Sequence, residues 1–83
     1  MSSSLQRELT ESYGLNILQY SGDLSSVENI NIVIDWLSEN EPASIFLEKC
    51  FINDDGCIQL AAHFASTNYC KYLSLSNNPL TSL

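Results

Sequence analysis

Two short stretches of the chain share the same order of apolar and polar residues. The first runs over residues 42–56 and reads P-A-S-I-F-L-E-K-C-F-I-N-D-D-G. The second runs over residues 70–83 and reads C-K-Y-L-S-L-S-N-N-P-L-T-S-L. When they are aligned 28 positions apart, each has two apolar residues two positions apart, then Cys or Asn, then another apolar residue. Because side chains two apart point to one face of a strand, the pattern predicts two strands, each followed by a turn.

These two strands are predicted over residues 43–49 and 71–75. Their inward-facing residues are expected to be Ile45, Leu47, Leu73 and Leu75. Cys50 and Asn78 follow at the turns, where their side chains are expected to bond backbone groups and to stack from one copy to the next.

The longest helical pattern covers residues 25–40. Its expected apolar face consists of Val27, Ile30, Ile34 and Leu37. Ser25 or Ser26 is expected to cap the helix, because a hydroxyl there accepts from a free backbone N–H of the first turn. Trp36 is interpreted as a core residue, with a contact to a partner or a second copy as the alternative.

Two further helices are predicted. One covers residues 55–66, after the capping candidates in Asn53-Asp54-Asp55, and its spacing places His63 on the solvent side. The other lies within residues 2–13, where Leu5, Leu9 and Tyr13 form one stripe. This N-terminal segment is interpreted as a cap on the core, with a partly disordered tail as the alternative.

A degenerate first copy of the strand pattern is predicted after residue 13. Leu15 and Ile17 fill the two inward positions, Tyr20 falls at the turn, and Leu24 re-enters the core. A shift of one residue would instead bury Asn16 and Leu18. That register is less favourable because a buried asparagine would lack an obvious partner.

The repeat template resembles that of leucine-rich-repeat proteins, over about residues 42–80. The longer pattern of Ile52, Gly56, Leu60 and Phe64 is similar to the ribonuclease-inhibitor type. The resemblance implies an α/β fold: a short right-handed solenoid with a parallel three-stranded concave sheet, helices on the convex side and an N-terminal helical cap. The expected single domain has a cap at 1–13, a degenerate repeat at 14–41, a repeat at 42–69 and a partial repeat at 70–83.

The charge balance changes the expected partner. Three basic and ten acidic residues give a net charge of −7, which repels nucleic acid and anionic membranes and favours a protein with a basic patch. Acidity that only maintains solubility is the alternative. The sequence contains no apolar run of membrane-spanning length and no signal-peptide core, so a cytoplasmic location is expected.

Candidate chemistry is sparse. The three cysteines, Cys50, Cys57 and Cys70, form no metal-binding spacing with the single histidine and are interpreted as buried free thiols. The acidic run before Gly56 lacks the alternating ligands of a calcium loop. We therefore expect no metal, no cofactor and no enzymatic activity.

The resemblance implies a protein-binding module that uses the concave face. The predicted outward residues are Asn16, Leu18, Gln19, Ser44, Phe46, Glu48, Lys49, Tyr72, Ser74, Ser76 and Asn77. Phe46 aligns with Ser74 and Ser44 with Tyr72, which makes the two aromatic residues neighbours and candidate hot spots. An inhibitor or regulator of a partner enzyme or effector fits this expectation.

Similar short repeat proteins include effectors that intracellular bacteria deliver into host cells. Two alternatives remain: a scaffold that self-associates through its C-terminal edge, and a fragment of a longer leucine-rich-repeat protein.

Overall fold

The chain folds into three helices and four strands within residues 4–79, the part that the computed structural model describes. The elements are α1 (Ser4–Glu11), β1 (Tyr13–Gly14), β2 (Ile17–Tyr20), α2 (Val27–Asn40), β3 (Ser44–Leu47), α3 (Asp54–Ala65) and β4 (Tyr72–Ser74). The α/β class is therefore confirmed. The predicted core position of Leu80 and the serines at 2 and 3 lie outside the described residues.

The sheet is mixed, with strand order β1-β2-β3-β4. The three predicted strands are parallel neighbours, and Ile45 lies opposite Leu73 as expected. The prediction of a purely parallel three-stranded sheet is wrong, because β1 pairs antiparallel with β2. Leu15 and Asn16 form the two-residue turn between them, both with positive φ, as a hairpin with this short connection requires.

The predicted register of the first strand is wrong, and the strand is shifted by one residue. Leu18 is fully buried and Tyr20 is 6% exposed, whereas Leu15 is 96% and Ile17 41% exposed. This register does not bury Asn16. That residue lies in the exposed hairpin turn instead, where its backbone carbonyl accepts from the N–H groups of Ala43 and Ser44.

α2 is the most deeply buried helix. The hydroxyl of Ser26 caps it by accepting from the backbone N–H of Asn29 at 3.1 Å, one of the two expected caps. Its buried residues are Ile30, Val33, Trp36 and Leu37. The predicted apolar face is thus only partly right, since Val27 is exposed and Ile34 is half-buried.

Trp36 belongs to the core, as the favoured interpretation held. It is 4% exposed, and its Nε1 donates to Oγ1 of Thr10 at 3.0 Å on the neighbouring helix α1. The ring of Tyr13 contacts it edge to face, with centroids 5.2 Å apart. Tyr13 makes this contact from β1, because α1 ends at Glu11 and not at residue 13.

α3 packs closely against α2. Asn53 caps α3 by accepting from the backbone N–H of Gly56 at 3.0 Å, so the acidic run serves as a helix start. A Cβ on Gly56 would lie only 3.1 Å from Cδ1 of Ile30 on α2, so glycine permits this approach. The spacing predicts His63 on the solvent side of α3, but the residue is half-buried. Its Nε2 lies 2.8 Å from the hydroxyl of Tyr69.

One contiguous core joins all three helices to one face of the sheet. Leu5 and Leu9 bring α1 into it, and the strands contribute Leu18, Ile45 and Leu47. Among residues 4–79, none of the helices combines the length and hydrophobicity needed to cross a bilayer.

Candidate protein-binding face

The sheet has one face in the core and one face that points away from it. We call the second the open face and define it by Ile17, Gln19, Ser44, Phe46, Tyr72 and Ser74, with two residues from each of β2, β3 and β4. These residues alternate along their strands with the fully buried Leu18 and Ile45 and with Leu73. Leu73 is 38% exposed and does not belong to the core cluster, so the prediction that it is an interior residue is wrong. Sequence alternation therefore predicts the open face correctly on β3 and β4.

Phe46 and Tyr72 form an aromatic pair at the centre of the open face. Their ring centroids lie 5.3 Å apart with an interplanar angle of 43°. The two residues occupy diagonal positions, because Phe46 lies opposite Ser74 and Tyr72 opposite Ser44. The small serines leave room for the rings to meet. Tyr72 is 55% exposed and Phe46 is half-buried, so an exposed apolar surface remains.

Polar side chains border the aromatic pair at the carboxyl end of the strands. The hydroxyl of Ser74 donates to Oε2 of Glu48 at 3.2 Å and lies 3.1 Å from the hydroxyl of Ser76. This bond holds the Glu48 carboxylate beside the open face. The predicted site residues Glu48, Ser74 and Ser76 therefore lie together.

Lys49 and Asn77 lie on the turns that follow β3 and β4. Both have a left-handed backbone, with φ of 57° and 62°, and both are exposed. The backbone N–H of Lys49 donates to the carbonyl of Ser76 at 3.3 Å, which links the two turns. They extend the candidate surface beyond the strand ends.

The first strand contributes differently from the prediction. Leu18 does not belong to the surface, because the strand register turns it into the core. Asn16 lies at the hairpin tip, where Oδ1 accepts from the hydroxyl of Tyr13 and from the N–H of Ala43, both at 3.3 Å. Gln19 is exposed and lies opposite Phe46 as expected of an outward residue.

The sequence predicts Leu15 and Ile17 as inward-facing, whereas both are exposed apolar residues of the β1–β2 hairpin. The signal that could have found them is the Asn16 position in a two-residue turn, since asparagine tolerates positive φ. That turn shifts the strand by one residue and brings Ile17 outward.

Asn78 holds the turn after β3 from the neighbouring strand segment. Its Oδ1 accepts from the backbone N–H groups of Cys50 at 2.8 Å and Ile52 at 3.1 Å. Its Nδ2 donates to the carbonyls of Leu47 and Leu75 at 2.8 and 2.9 Å. The prediction that this side chain bonds backbone groups of the turn is confirmed.

Cys50 is aligned with Asn78 in the sequence, 28 residues earlier. Its Sγ donates to the carbonyl of Tyr20 at 3.3 Å, and burial raises the pKa of the thiol. A protonated, buried thiol is a poor nucleophile, so Cys50 has a structural role here. Cys57 and Cys70 are free and half-buried, which corrects the prediction that they are fully buried.

Within 4–79, no three acidic, histidine or cysteine side chains approach closely enough to hold a metal ion. A shallow cleft of about 490 Å³ lies between α1 and α2 and is lined by Gln6, Arg7, Thr10, Trp36, Glu39 and Asn40. The hydroxyl of Thr10 is already bonded to Trp36 and to the carbonyl of Gln6. The open face is therefore the stronger candidate site.

No family model matches the chain, and no curated protein or solved structure shows a significant match.

Proposed function

We propose that the chain is a non-catalytic module that binds another protein through the open face. The observation that carries this proposal is the aromatic pair, Phe46 and Tyr72, which lies on a sheet face away from the core. Aromatic residues in the centre of a surface and a polar rim around them are typical of protein interfaces. Glu48 and Ser76 supply such a rim.

The fold that we propose for this module is a short leucine-rich-repeat solenoid. Three features support it. The parallel strands repeat with offsets of 27 and 28 residues, from Leu18 to Ile45 and from Ile45 to Leu73. The turn residues Lys49 and Asn77 share a left-handed backbone. The Asn78 side chain joins consecutive turns. In this interpretation α1 and the β1 hairpin cap the first coil.

The partner that we propose is a protein with a basic surface. The net charge of −7 would attract it over distances up to about a Debye length and would repel nucleic acid and anionic lipid. A small acidic module without catalytic groups suits an inhibitor or regulator of a partner enzyme or effector. We place its action in the cytoplasm, either of the cell that makes it or of a host cell that receives it.

Affinity capture with paired variants tests the proposed function. Phe46→Ser with Tyr72→Ser removes the aromatic pair, and Val27→Ser with Ile58→Ser removes two exposed apolar residues of the helices, which are 56% and 64% exposed. We expect partners to be retained by the wild type and the helix variant and lost by the open-face variant. Equal retention by both variants would show that the open face is not the binding surface.

Self-association through β4 is the second candidate function. Leu73 is 38% exposed, although Ile45 opposite it on β3 and Leu18 on β2 are fully buried, and β4 is the edge strand of the sheet among residues 4–79. Unpaired backbone groups beside an exposed leucine favour strand pairing with a second copy. Light scattering across a concentration series distinguishes a dimer from a monomeric binder.

A further inference from the structure

The open face combines a ring surface and a carboxylate at a short separation. Phe46 lies on β3, and Glu48 is the first residue of the turn that follows it. Ser74 lies opposite Phe46 and donates to Glu48, so one strand position joins the aromatic ring to the carboxylate. Tyr72 completes the group on the other side of Phe46.

This combination matches the chemistry of one side chain. A guanidinium group is planar, stacks on aromatic rings and donates two parallel N–H bonds to a carboxylate. A lysine ammonium is a compact, strongly hydrated charge that does not stack in this way. A carboxylate accepts about four hydrogen bonds, so the bond from Ser74 leaves Glu48 able to accept more.

Burial and charge favour the same ligand. Glu48 and Phe46 are each half-buried, so a cation between them would be partly removed from water, where its attraction to both groups is stronger. The chain carries seven more acidic than basic residues, and this excess would bring a basic partner toward the face.

We propose that the open face recognises its protein partner through an arginine side chain, whose guanidinium lies on Phe46 and Tyr72 and pairs with Glu48. This inference rests on the proposed function and specifies the chemical group that is bound. The neighbouring Ser44 and Ser76 leave space around the arginine for the rest of the partner segment.

Nuclear magnetic resonance with a defined probe tests this proposal on the full chain. The probe is the blocked tripeptide acetyl-Gly-Arg-Gly-amide, and the matched probes replace arginine by lysine or by citrulline, its uncharged analogue. We expect the arginine peptide to shift the amide signals of β3 and β4 in a saturable way, with an affinity at least about threefold higher than that of the lysine peptide. The citrulline peptide should produce no saturable shift.

Variants separate this site from other acidic positions. Glu48→Gln removes the charge and keeps the shape, and we expect it to weaken the arginine peptide at least about threefold. Glu28→Gln, at an exposed position in the first turn of α2, serves as the matched control and should leave the affinity unchanged. Phe46→Leu should also weaken binding, because it keeps an apolar residue but removes the ring.

Three results would overturn the arginine proposal: equal responses to arginine and citrulline, equal losses in Glu48→Gln and Glu28→Gln, or shifts confined to the cleft between α1 and α2. The proposed function would still stand if partner capture depended on the aromatic pair while the arginine peptide failed to bind. It would fall together with the arginine proposal if capture were also insensitive to that pair.

Discussion

The two parallel strand–helix units of this protein share a topology but differ in what stabilises them. In the first unit, β2 with α2, the helix buries four side chains, among them Trp36 and Leu37. In the second unit, β3 with α3, the helix fully buries only Gly56 and Leu60. The cause is position, since α2 contacts both α1 and α3 whereas α3 has a helical neighbour on one side only among the described residues.

The turns that follow the strands of the two units are held by different side chains. After β3, the side chain of Asn78 bonds Cys50, Ile52 and Leu47 from the adjacent strand segment. After β2, the carboxylate of Asp23 bonds the nearby Ser25. Two other side chains bond across strands there: Sγ of Cys50 donates to the carbonyl of Tyr20 at 3.3 Å, and the hydroxyl of Ser21 donates to the carbonyl of Glu48 at 2.9 Å. Both turns are therefore held by side-chain hydrogen bonds across strands, and they differ in that a single amide, Asn78, makes three of these bonds after β3.

The largest expected effect is the loss of stability when a leucine is truncated. It compares Leu18 on β2 with Leu73 on β4, the two outer strands of the three parallel ones. Leu18→Ala should lower the free energy of unfolding by about 3 kcal/mol, because the side chain is fully buried in the first unit. Leu73→Ala should cost about 1 kcal/mol, because that side chain is 38% exposed. Urea denaturation of both variants measures the difference.

Equal losses of unfolding free energy in Leu18→Ala and Leu73→Ala would contradict this prediction. They would mean that Leu73 is covered in solution, and a concentration dependence of the Leu73→Ala effect would then identify a second copy as the cover.

An intermediate effect is expected at the turns. Asn78→Ala should destabilise the chain by about 2 kcal/mol, because it leaves the backbone N–H groups of Cys50 and Ile52 without their acceptor. Asp23→Ala should cost less than about 1 kcal/mol, since its bonds are local and exposed. Urea denaturation of both variants measures the two losses of unfolding free energy.

Hydrogen exchange locates the same effect. In Asn78→Ala the amides of Cys50 and Ile52 should exchange faster, whereas the amide of Leu24, which donates to the carbonyl of Cys50 at 2.7 Å, should change less. Uniform acceleration across both units would show that the turns do not act separately.

The smallest expected effect is a loss of stability at alkaline pH. It comes from two tyrosines, Tyr20 in β2 and Tyr69 between α3 and β4. Burial raises the pKa of Tyr20 and of Tyr69 to about 12, and Glu8 adds to the effect at Tyr20 through charge and a hydrogen bond. The unfolded chain releases these protons near pH 10, before the folded chain does, so stability should fall as pH rises from about 10 to about 12. We expect less than about 1 kcal/mol per tyrosine at about pH 11, because both sites are partly screened by solvent.

Melting temperatures at two alkaline pH values measure this effect. Tyr20→Phe and Tyr69→Phe should each lose less stability between about pH 9 and about pH 11 than the wild type does. Burial also raises the pKa values of the Cys50 and Cys70 thiols, which lowers stability in the same direction in the wild type and in both variants. A loss in Tyr20→Phe as large as in the wild type would show that its hydroxyl titrates normally.

The same contrast between units explains how much the sequence could predict. In β3 and β4 each inward position is aliphatic and the outward positions of β4 are polar or aromatic, so the register and the pairing of Ile45 with Leu73 follow from alternation. The open face of these strands, with its aromatic pair, was predictable for the same reason.

The first strand was not predictable in this way. Leu15, Ile17 and Leu18 are all apolar, and alternation alone does not choose between the two registers. A tertiary contact decides: the carbonyl of Asn16 accepts from Ala43 and Ser44 and fixes the hairpin turn beside β3. A strand as short as β1 carries no periodic signal, so its antiparallel pairing could not be foreseen.

Left-handed backbone conformations occur at six residues other than glycine in the described chain, among them Leu15, Glu41, Lys49 and Phe51. Glycine or asparagine adopts this conformation at lower conformational cost, by about 1 kcal/mol per site for glycine. Substitution of these loop residues by glycine or asparagine is therefore expected to raise the free energy of unfolding. A more heat-resistant version could be built at these positions alone, with the interior and the sheet left as they are.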